Sequence, residues 1–219
     1  LEAWSDPKKK PIATVTEVLG RPDDPGMDLR IVARSKGLPL SFPEEVERAA
    51  TELTFPDLSG DLGERRDLRS LNALTIDPRD ARDFDDAVSI RRLDNGLFEL
   101  GVHIADVTAF VKEDDLIDRE AFKRGTSVYF VSSVIPMLPE RLSNDLCSLK
   151  PKEDRLAFSV LMQLDSLGTV HSVDITESVI RSKQRFSYVE AEGVLKGAGH
   201  KYAGDLHLLQ LAATMLRQR

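Results

Sequence analysis

Residues 74–88 read LTIDPRDARDFDDAV, and the reading of this stretch decides the rest of the chain. It holds five aspartates, of which Asp77, Asp83, Asp85 and Asp86 fall within ten residues. Carboxylates crowded in this way make one another harder to ionise unless a cation compensates. Hard oxygen donors with no His or Cys nearby favour Mg²⁺, Mn²⁺ or Ca²⁺ over zinc. The apolar Leu74-Thr75-Ile76 predicts a short strand that Pro78 ends, and Ala87-Val88-Ser89-Ile90 predicts the start of the next. The aspartates therefore fall on a loop between two strands.

Two Asp-rich patterns fail here. A calcium EF-hand loop needs Gly at its sixth position and Glu at its twelfth. Counting from Asp77 gives Arg82 and Val88, and from Asp83 gives Val88 and Asp94. A phosphatase nucleophile of the DxDx(T/V) kind needs an apolar strand directly before it and Thr or Val at its end, where this chain has Arg82 and Ala87. The plain structural alternative is a solvated acidic loop paired with Arg79 and Arg82.

Composition sets the wider frame. The chain has 219 residues, 41% hydrophobic and 31% charged, enough for one or two domains with a core. No apolar run reaches bilayer length, which implies no membrane partner, and no signal peptide is visible. One cysteine, Cys147, has no intramolecular disulfide partner, which fits a reducing, cytoplasmic setting. The formal charge of -7 is concentrated: residues 75–118 hold 12 acids and 5 bases, so the rest of the chain sums to zero. An acidic knot in a balanced chain suits a cation-dependent site, and the net charge does not exclude nucleic acid.

Along the chain, residues 13–19 and 27–35 read as two strands joined at Pro22-Asp23-Asp24-Pro25-Gly26. The Lys8-Lys9-Lys10 run before them is a solvated approach to a strand, with phosphate contact as the alternative reading. Ser41-Phe42-Pro43-Glu44 has the capping-box pattern and opens a helix to about Leu53. Residues 54–73 read as a connecting arm. Strands are expected over 87–93 and 97–107 around Asp94-Asn95-Gly96, over 125–130, and over 155–164 and 170–181 around Ser166-Leu167-Gly168. Helices are expected over 115–123 and from Pro139 toward Leu149. Past Ser187, Leu206, Leu209, Ala213 and Leu216 recur at helical spacing. His103, a lone strand histidine with no second ligand near it in sequence, reads as structural. The last helix stops at Arg219 without a cap, which predicts a fragment of a longer domain.

Several strings together resemble one family. TIDPRDARDFDDAV at 75–88, HIADV at 103–107, RGTSVYF at 124–130, IPMLPERLSNDLCSLKP at 135–151 and DRLAFSV at 154–160 are similar, in order and spacing, to the opening half of the RNB catalytic domain of the ribonuclease II and ribonuclease R family. TVTEVLG at 14–20 resembles the end of the cold-shock OB domain before it. The implied organisation is an OB-type β remnant over 1–38, an arm with a helix over 39–73, and an α+β domain with a mixed, largely antiparallel sheet over 74–219.

The resemblance implies a processive 3′ to 5′ exoribonuclease on single-stranded RNA, releasing nucleoside 5′-monophosphates with Mg²⁺, or Mn²⁺ in its place. Asp77, Asp83, Asp85 and Asp86 match its acidic active-site positions, and Tyr129 matches a tyrosine that stacks on a base near the cleaved 3′ end. The plain alternative for Tyr129 is packing within a sheet. Adjacent Asp85 and Asp86 would point to opposite faces of a regular strand, so the loop must depart from strand geometry for both to serve. The resemblance places an arginine, a second stacking aromatic and an S1 domain outside these 219 residues, so the chain alone is expected to be inactive. A catalytically silent relative serving as an RNA-binding or regulatory module is the alternative, and an unrelated acidic-loop metalloprotein is a third.

Overall fold

A computed structural model describes residues 14–218 apart from 61 and 132. The Lys8-Lys9-Lys10 run lies outside the described residues. The chain runs through α1 (Met27–Ser35), α2 (Glu44–Glu52), β1 (Arg66–Asp67), β2 (Leu74–Asp77), β3 (Asp86–Arg92), β4 (Phe98–Ala105) and α3 (Leu116–Arg124). Short strands β5 (Val128–Tyr129) and β6 (Val134–Ile135) follow, then β7 (Asp154–Leu164), β8 (Val170–Arg181), β9 (Gln184–Ser187), α4 (Tyr188–Leu195) and α5 (Ala203–Arg217). Seven strands form one sheet in the order β1-β8-β7-β4-β3-β2-β9. Its central pairings are antiparallel, while β1 with β8 and β2 with β9 are parallel, so the fold is α+β with a mixed, largely antiparallel sheet.

Local chemistry explains the hairpins. Between β3 and β4, Gly96 takes φ 85°, a left-handed conformation that glycine adopts without a Cβ clash, and Asn95 Oδ1 accepts from Leu97 N at 3.1 Å. Between β7 and β8, Asp165 Oδ1 accepts from the amides of Leu167 and Thr169, each at 2.9 Å. Asp115 caps α3 by accepting from Ile117 N and Asp118 N, both at 2.8 Å, and Gly125 stops that helix. Ser187 and Glu190 form a capping box that starts α4.

The sheet has two dressed faces. Ile90, Leu100 and Met162 are directly cross-strand and share a face with Ala212 and Met215 of α5 against them. On the same face Leu74 and Phe186 pack with Ala191 and Val194 of α4. A larger core joins Ala87, Ala157 and Leu161 to Val46 and Ala50 of α2 and Ile117 of α3.

Inside the sheet runs a buried polar chain centred on His103, which is 0% exposed. Its polarity follows from the end of the chain. Ser178 Oγ donates to Ala157 O at 3.1 Å, so at 2.6 Å it accepts from Ser159 Oγ. Ser159 must then accept from His103 Nδ1–H at 2.7 Å, and His103 Nε2 accepts from Ser89 Oγ at 2.9 Å. Burial holds the imidazole neutral, with its pKa lowered to about 4. The structural reading of His103 stands, and Gly101 makes room for it: a Cβ there would collide with Ser89 Oγ and stand 2.8 Å from His103 Nε2. Gly101→Ala is expected to cost about 3 kcal/mol in urea unfolding, through overpacking and broken buried hydrogen bonds.

The structure differs from the sequence reading in several places. Residues 27–35 form helix α1, not a strand, and residues 14–20 have no strand, so the described part of the expected OB-type β remnant is not β. Gly26 in the left-handed region opens α1, Asp28 sits in its first turn, and Arg34 pairs with Glu17 at 2.6 Å. The Ser41 capping box does not form. Pro43 stands at the N-cap of α2, while Arg124 donates to Ser41 O at 2.7 Å and lies 3.6 Å over the Phe42 ring. The strand expected over 125–130 shrinks to β5, which pairs only with β6 in a separate two-stranded sheet. The helix expected after Pro139 is a π-helical turn, Leu142–Leu146, closed by Cys147 N to Leu142 O at 2.8 Å. In α5 the buried positions are Leu206, Ala212 and Met215, and Leu216 is exposed. The arm over 54–73 also contributes β1 to the sheet, with Leu68 N donating to Val179 O at 2.9 Å.

Candidate active site

Asp77 is the last residue of β2 and Asp86 the first of β3, so the strand ends set the separation of the two carboxylates. β2 and β3 pair only at Leu74 with Val88, and the chain between Asp77 and Asp86 has no regular structure. Its second half is tied to neighbouring segments. Ser148 Oγ donates to Arg82 O at 2.7 Å and accepts from Phe84 N at 3.2 Å. Leu149 N donates to Phe84 O at 2.7 Å, and Ala105 N to Asp85 O at 2.8 Å. Phe84 packs against the main core while its two neighbours, Asp83 and Asp85, line a cleft of about 550 Å³. This in-and-out alternation is that of an extended chain, and it delivers two carboxylates to one side.

The cleft also takes in Asp77, Tyr129, Phe130 and Asn144. Tyr129 sits at its rim with 69% of its surface exposed, and its hydroxyl donates to Asp83 Oδ2 at 3.0 Å. Desolvation and that bond to a carboxylate push the phenol above its ordinary pKa. The ring is thus held by its hydroxyl end with its face open. Packing within a sheet does not describe it.

Charge concentrates at Asp77. It is 8% exposed, and burial together with the charges of Asp86 and Asp85 pushes its pKa up to about 6, against opposing pulls from the Thr75 side chain and, more weakly, from Arg185. Asp86 is raised in the same direction by desolvation and by Asp85. Asp77, Asp85 and Asp86 therefore lie within electrostatic reach of one another, while Asp83 lines the same cleft and is bonded to Tyr129, which the charge of Asp85 also reaches. The four carboxylates converge only in part: Asp77, Asp83 and Asp85 line the cleft, Asp86 does not, and among the described residues no three His, Cys, Asp or Glu side chains are close enough together to hold a metal ion. Mutual repulsion opposes closer approach, and the Tyr129 hydroxyl relieves it at Asp83 only.

The donor set still suits a hard divalent cation. All four candidates are carboxylates, Asp77 Oδ2 is buried with no hydrogen-bond partner, and the raised pKa values mark negative charge that the protein leaves under-compensated. Two residues that sequence reasoning passed over belong to the site. Ser148 carries the loop's second half, and Arg185, on β9, carries its first, donating to Pro78 O at 2.5 Å and Arg79 O at 2.6 Å. The parallel pairing of β9 with β2 puts Arg185 there, and no local signal announces a partner a hundred residues away.

Cys147 is buried and free, burial raising its thiol to about 12, and no helix among the described residues is long and apolar enough to cross a membrane.

The model of the RNB domain matches residues 65–219, and that of a cold shock domain matches residues 1–43. The chain is 51% identical over 187 residues to ribonuclease R of Thermotoga maritima, covering 84% of this chain and 26% of that protein. The structure of Mycoplasma genitalium RNase R in complex with ribose-methylated single-stranded RNA superposes with a TM-score of 0.86 at 29% identity, covering 92% of this chain and 32% of that one. Yeast Ssd1, a pseudonuclease, shares the fold, with a TM-score of 0.71 at 23% identity over 90% of this chain and 25% of that one. The chain spans about a quarter of the length of ribonuclease R of Thermotoga maritima and of Aquifex aeolicus. The aspartate loop, the sheet that carries it and these matches lead to one assignment: the chain belongs to the RNB domain family of ribonuclease R homologues.

Proposed function

We propose that this chain supplies the acidic half of the active site of a 3′ to 5′ exoribonuclease that degrades single-stranded RNA processively to nucleoside 5′-monophosphates. The observation that carries the reading is the placement of Asp77, Asp83 and Asp85 along one cleft with the open ring of Tyr129 at its rim. Asp77, Asp83, Asp85 and Asp86 would hold Mg²⁺, or Mn²⁺ in its place. Bound divalent ions of this kind activate a water and stabilise charge on the leaving oxygen. The protein's own contribution is to hold carboxylates against their repulsion and to keep the 3′ end in place.

Tyr129 would grip that end by stacking, which accepts every base because every base has a π face. Tyr129→Ala is expected to raise KM for single-stranded RNA about tenfold or more, since stacking contributes ~1 to 3 kcal/mol per base. Tyr129→Phe keeps the ring and loses only the bond to Asp83, so its KM should move far less. Steady-state kinetics on both variants checks this; equal effects would assign Tyr129 to Asp83 and not to the base.

The 219 residues assayed alone are expected to release no monophosphates, because positioning and charge neutralisation at the phosphate each contribute orders of magnitude. The test of the function is the full-length protein on 5′-labelled and 3′-labelled RNA with Mg²⁺. Labelled monophosphate released at once from the 3′ label, and late from the 5′ label, supports the reading; the reverse order sinks it. The second reading, a silent RNA-binding module, is favoured by the absence of three gathered ligands among the described residues and by the fold shared with a pseudonuclease. RNA binding without any release would establish it.

A further inference from the structure

We infer that Arg185 is a positioning residue that clamps the first half of the aspartate loop onto β9, and so sets where the loop carboxylates stand. The inference rests on the reading that this loop carries the catalytic carboxylates. Residues 78–85 join two strands with no ladder of their own, and ordering such a segment costs conformational entropy that outside contacts must offset. The second half has Ser148, Leu149 and Ala105. The first half has the turn bond from Ala81 N to Pro78 O at 3.1 Å and, beyond it, Arg185.

The geometry of Arg185 suits a clamp. One guanidinium nitrogen, Nη2, spans two successive carbonyls, those of Pro78 and Arg79. The guanidinium carbon lies 5.5 Å from the centre of the Phe84 ring, so the same side chain also meets the loop at Phe84. Its backbone is fixed in turn, because Arg185 pairs with Thr75 and the next two residues pair with Ile76 and Asp77 in the parallel ladder. The loop is therefore referenced to the strand that carries Asp77, and the positive charge of Arg185 opposes the repulsion felt by Asp77. Glu190, in the capping box of α4, faces the same cation and balances part of its charge. Outer partners of this kind orient carboxylate ligands and are worth about 10- to 100-fold in metal affinity or activity.

The test uses the full-length protein as wild type, Arg185→Gln and Arg185→Lys. Three quantities are read: amide hydrogen exchange over residues 79–85 in chelator, Mn²⁺ affinity by electron paramagnetic resonance, and kcat and KM on single-stranded RNA. Arg185→Gln should speed exchange over 79–85 about tenfold or more, leave the β4 and β7 amides unchanged, and weaken Mn²⁺ binding and kcat by about 10- to 100-fold with KM nearly constant. Arg185→Lys, which keeps the charge and can reach one carbonyl, should fall between, and it stands in if the Gln variant does not fold. Unchanged exchange with a lost kcat would overturn the proposal in favour of direct contact with the phosphate. Unchanged exchange, affinity and kcat would overturn it outright. If the wild type releases no monophosphates, the exoribonuclease reading falls while exchange and Mn²⁺ affinity still decide the clamp.

Discussion

Asp86→Asn in the full-length protein is expected to lower kcat on single-stranded RNA by at least about a hundred- to a thousandfold, with RNA affinity unchanged or slightly improved. The magnitude follows from what charge-stabilising groups contribute to a transition state when removed singly. The direction of the affinity change follows from repulsion. Asp86 is the first residue of β3, its charge raises the pKa of Asp77, and its own pKa is raised by Asp85, so removing one negative charge relieves both neighbours and the approaching phosphate. Asparagine keeps the size of the side chain, and the backbone pairing of Asp86 with Ile104 is untouched. A filter-binding isotherm beside single-turnover cleavage separates the two effects. Lost affinity with retained cleavage would remove Asp86 from the site.

In chelator, Asp77 is expected to withdraw stability as pH rises from about 4 to about 6, read as the difference between the wild type and Asp77→Asn, because buried His103, neutral down to about 4, adds stability over the same window in both proteins. Asp77 titrates at about 6 in the folded protein, against about 4 for an unperturbed aspartate. Between those values the folded state holds a proton on Asp77 that the unfolded state has given up, so the contribution of Asp77 to stability falls with rising pH across the window and stays low above it. A shift of about two units corresponds to about 3 kcal/mol at neutral pH, an upper figure because Asp77 keeps a little solvent contact. Urea titrations at pH 4, 5, 6 and 7.5 measure the slope. Added Mg²⁺ should restore stability to the wild type above pH 6 and do little at pH 4, where the protonated carboxylate competes. A difference between the wild type and Asp77→Asn that stays constant from pH 4 to 7.5 would show that Asp77 is not buried among like charges.

Much of the central sheet was legible in the residues themselves. β3 with β4 and β7 with β8 are joined by Asn-Gly and Ser-Leu-Gly turns, and their apolar alternation has a period that burial on a sheet demands. α3 and α4 announce themselves through Asp115 and Ser187, whose side chains cap amides two and three residues on. Crowding alone marked the aspartate loop as a place that wants a cation, and the ordered strings shared with the RNB family named the four carboxylates and Tyr129. The misread segments are those where one pattern serves two structures. Met27, Leu29, Ile31 and Ala33 alternate like a strand, yet Met27 with Ile31 and Leu29 with Ala33 are also one helical turn apart, and Gly26, Asp28 and the Arg34–Glu17 pair favour the helix.

Tertiary structure alone decided the site. Ser148 and Arg185 meet the aspartate loop from 64 and about 107 positions away, through the turn that follows the π-helical residues and through the parallel pairing of β9 with β2. The bond from Tyr129 to Asp83 spans 46 positions and depends on a two-stranded sheet too short to show in sequence. Local patterns report what a segment does with its immediate neighbours, by hydrogen bonds and periodic burial. The distances among carboxylates are set by contacts between segments remote in sequence, and nothing in the residues of the loop encodes which distant strand will lie beside it.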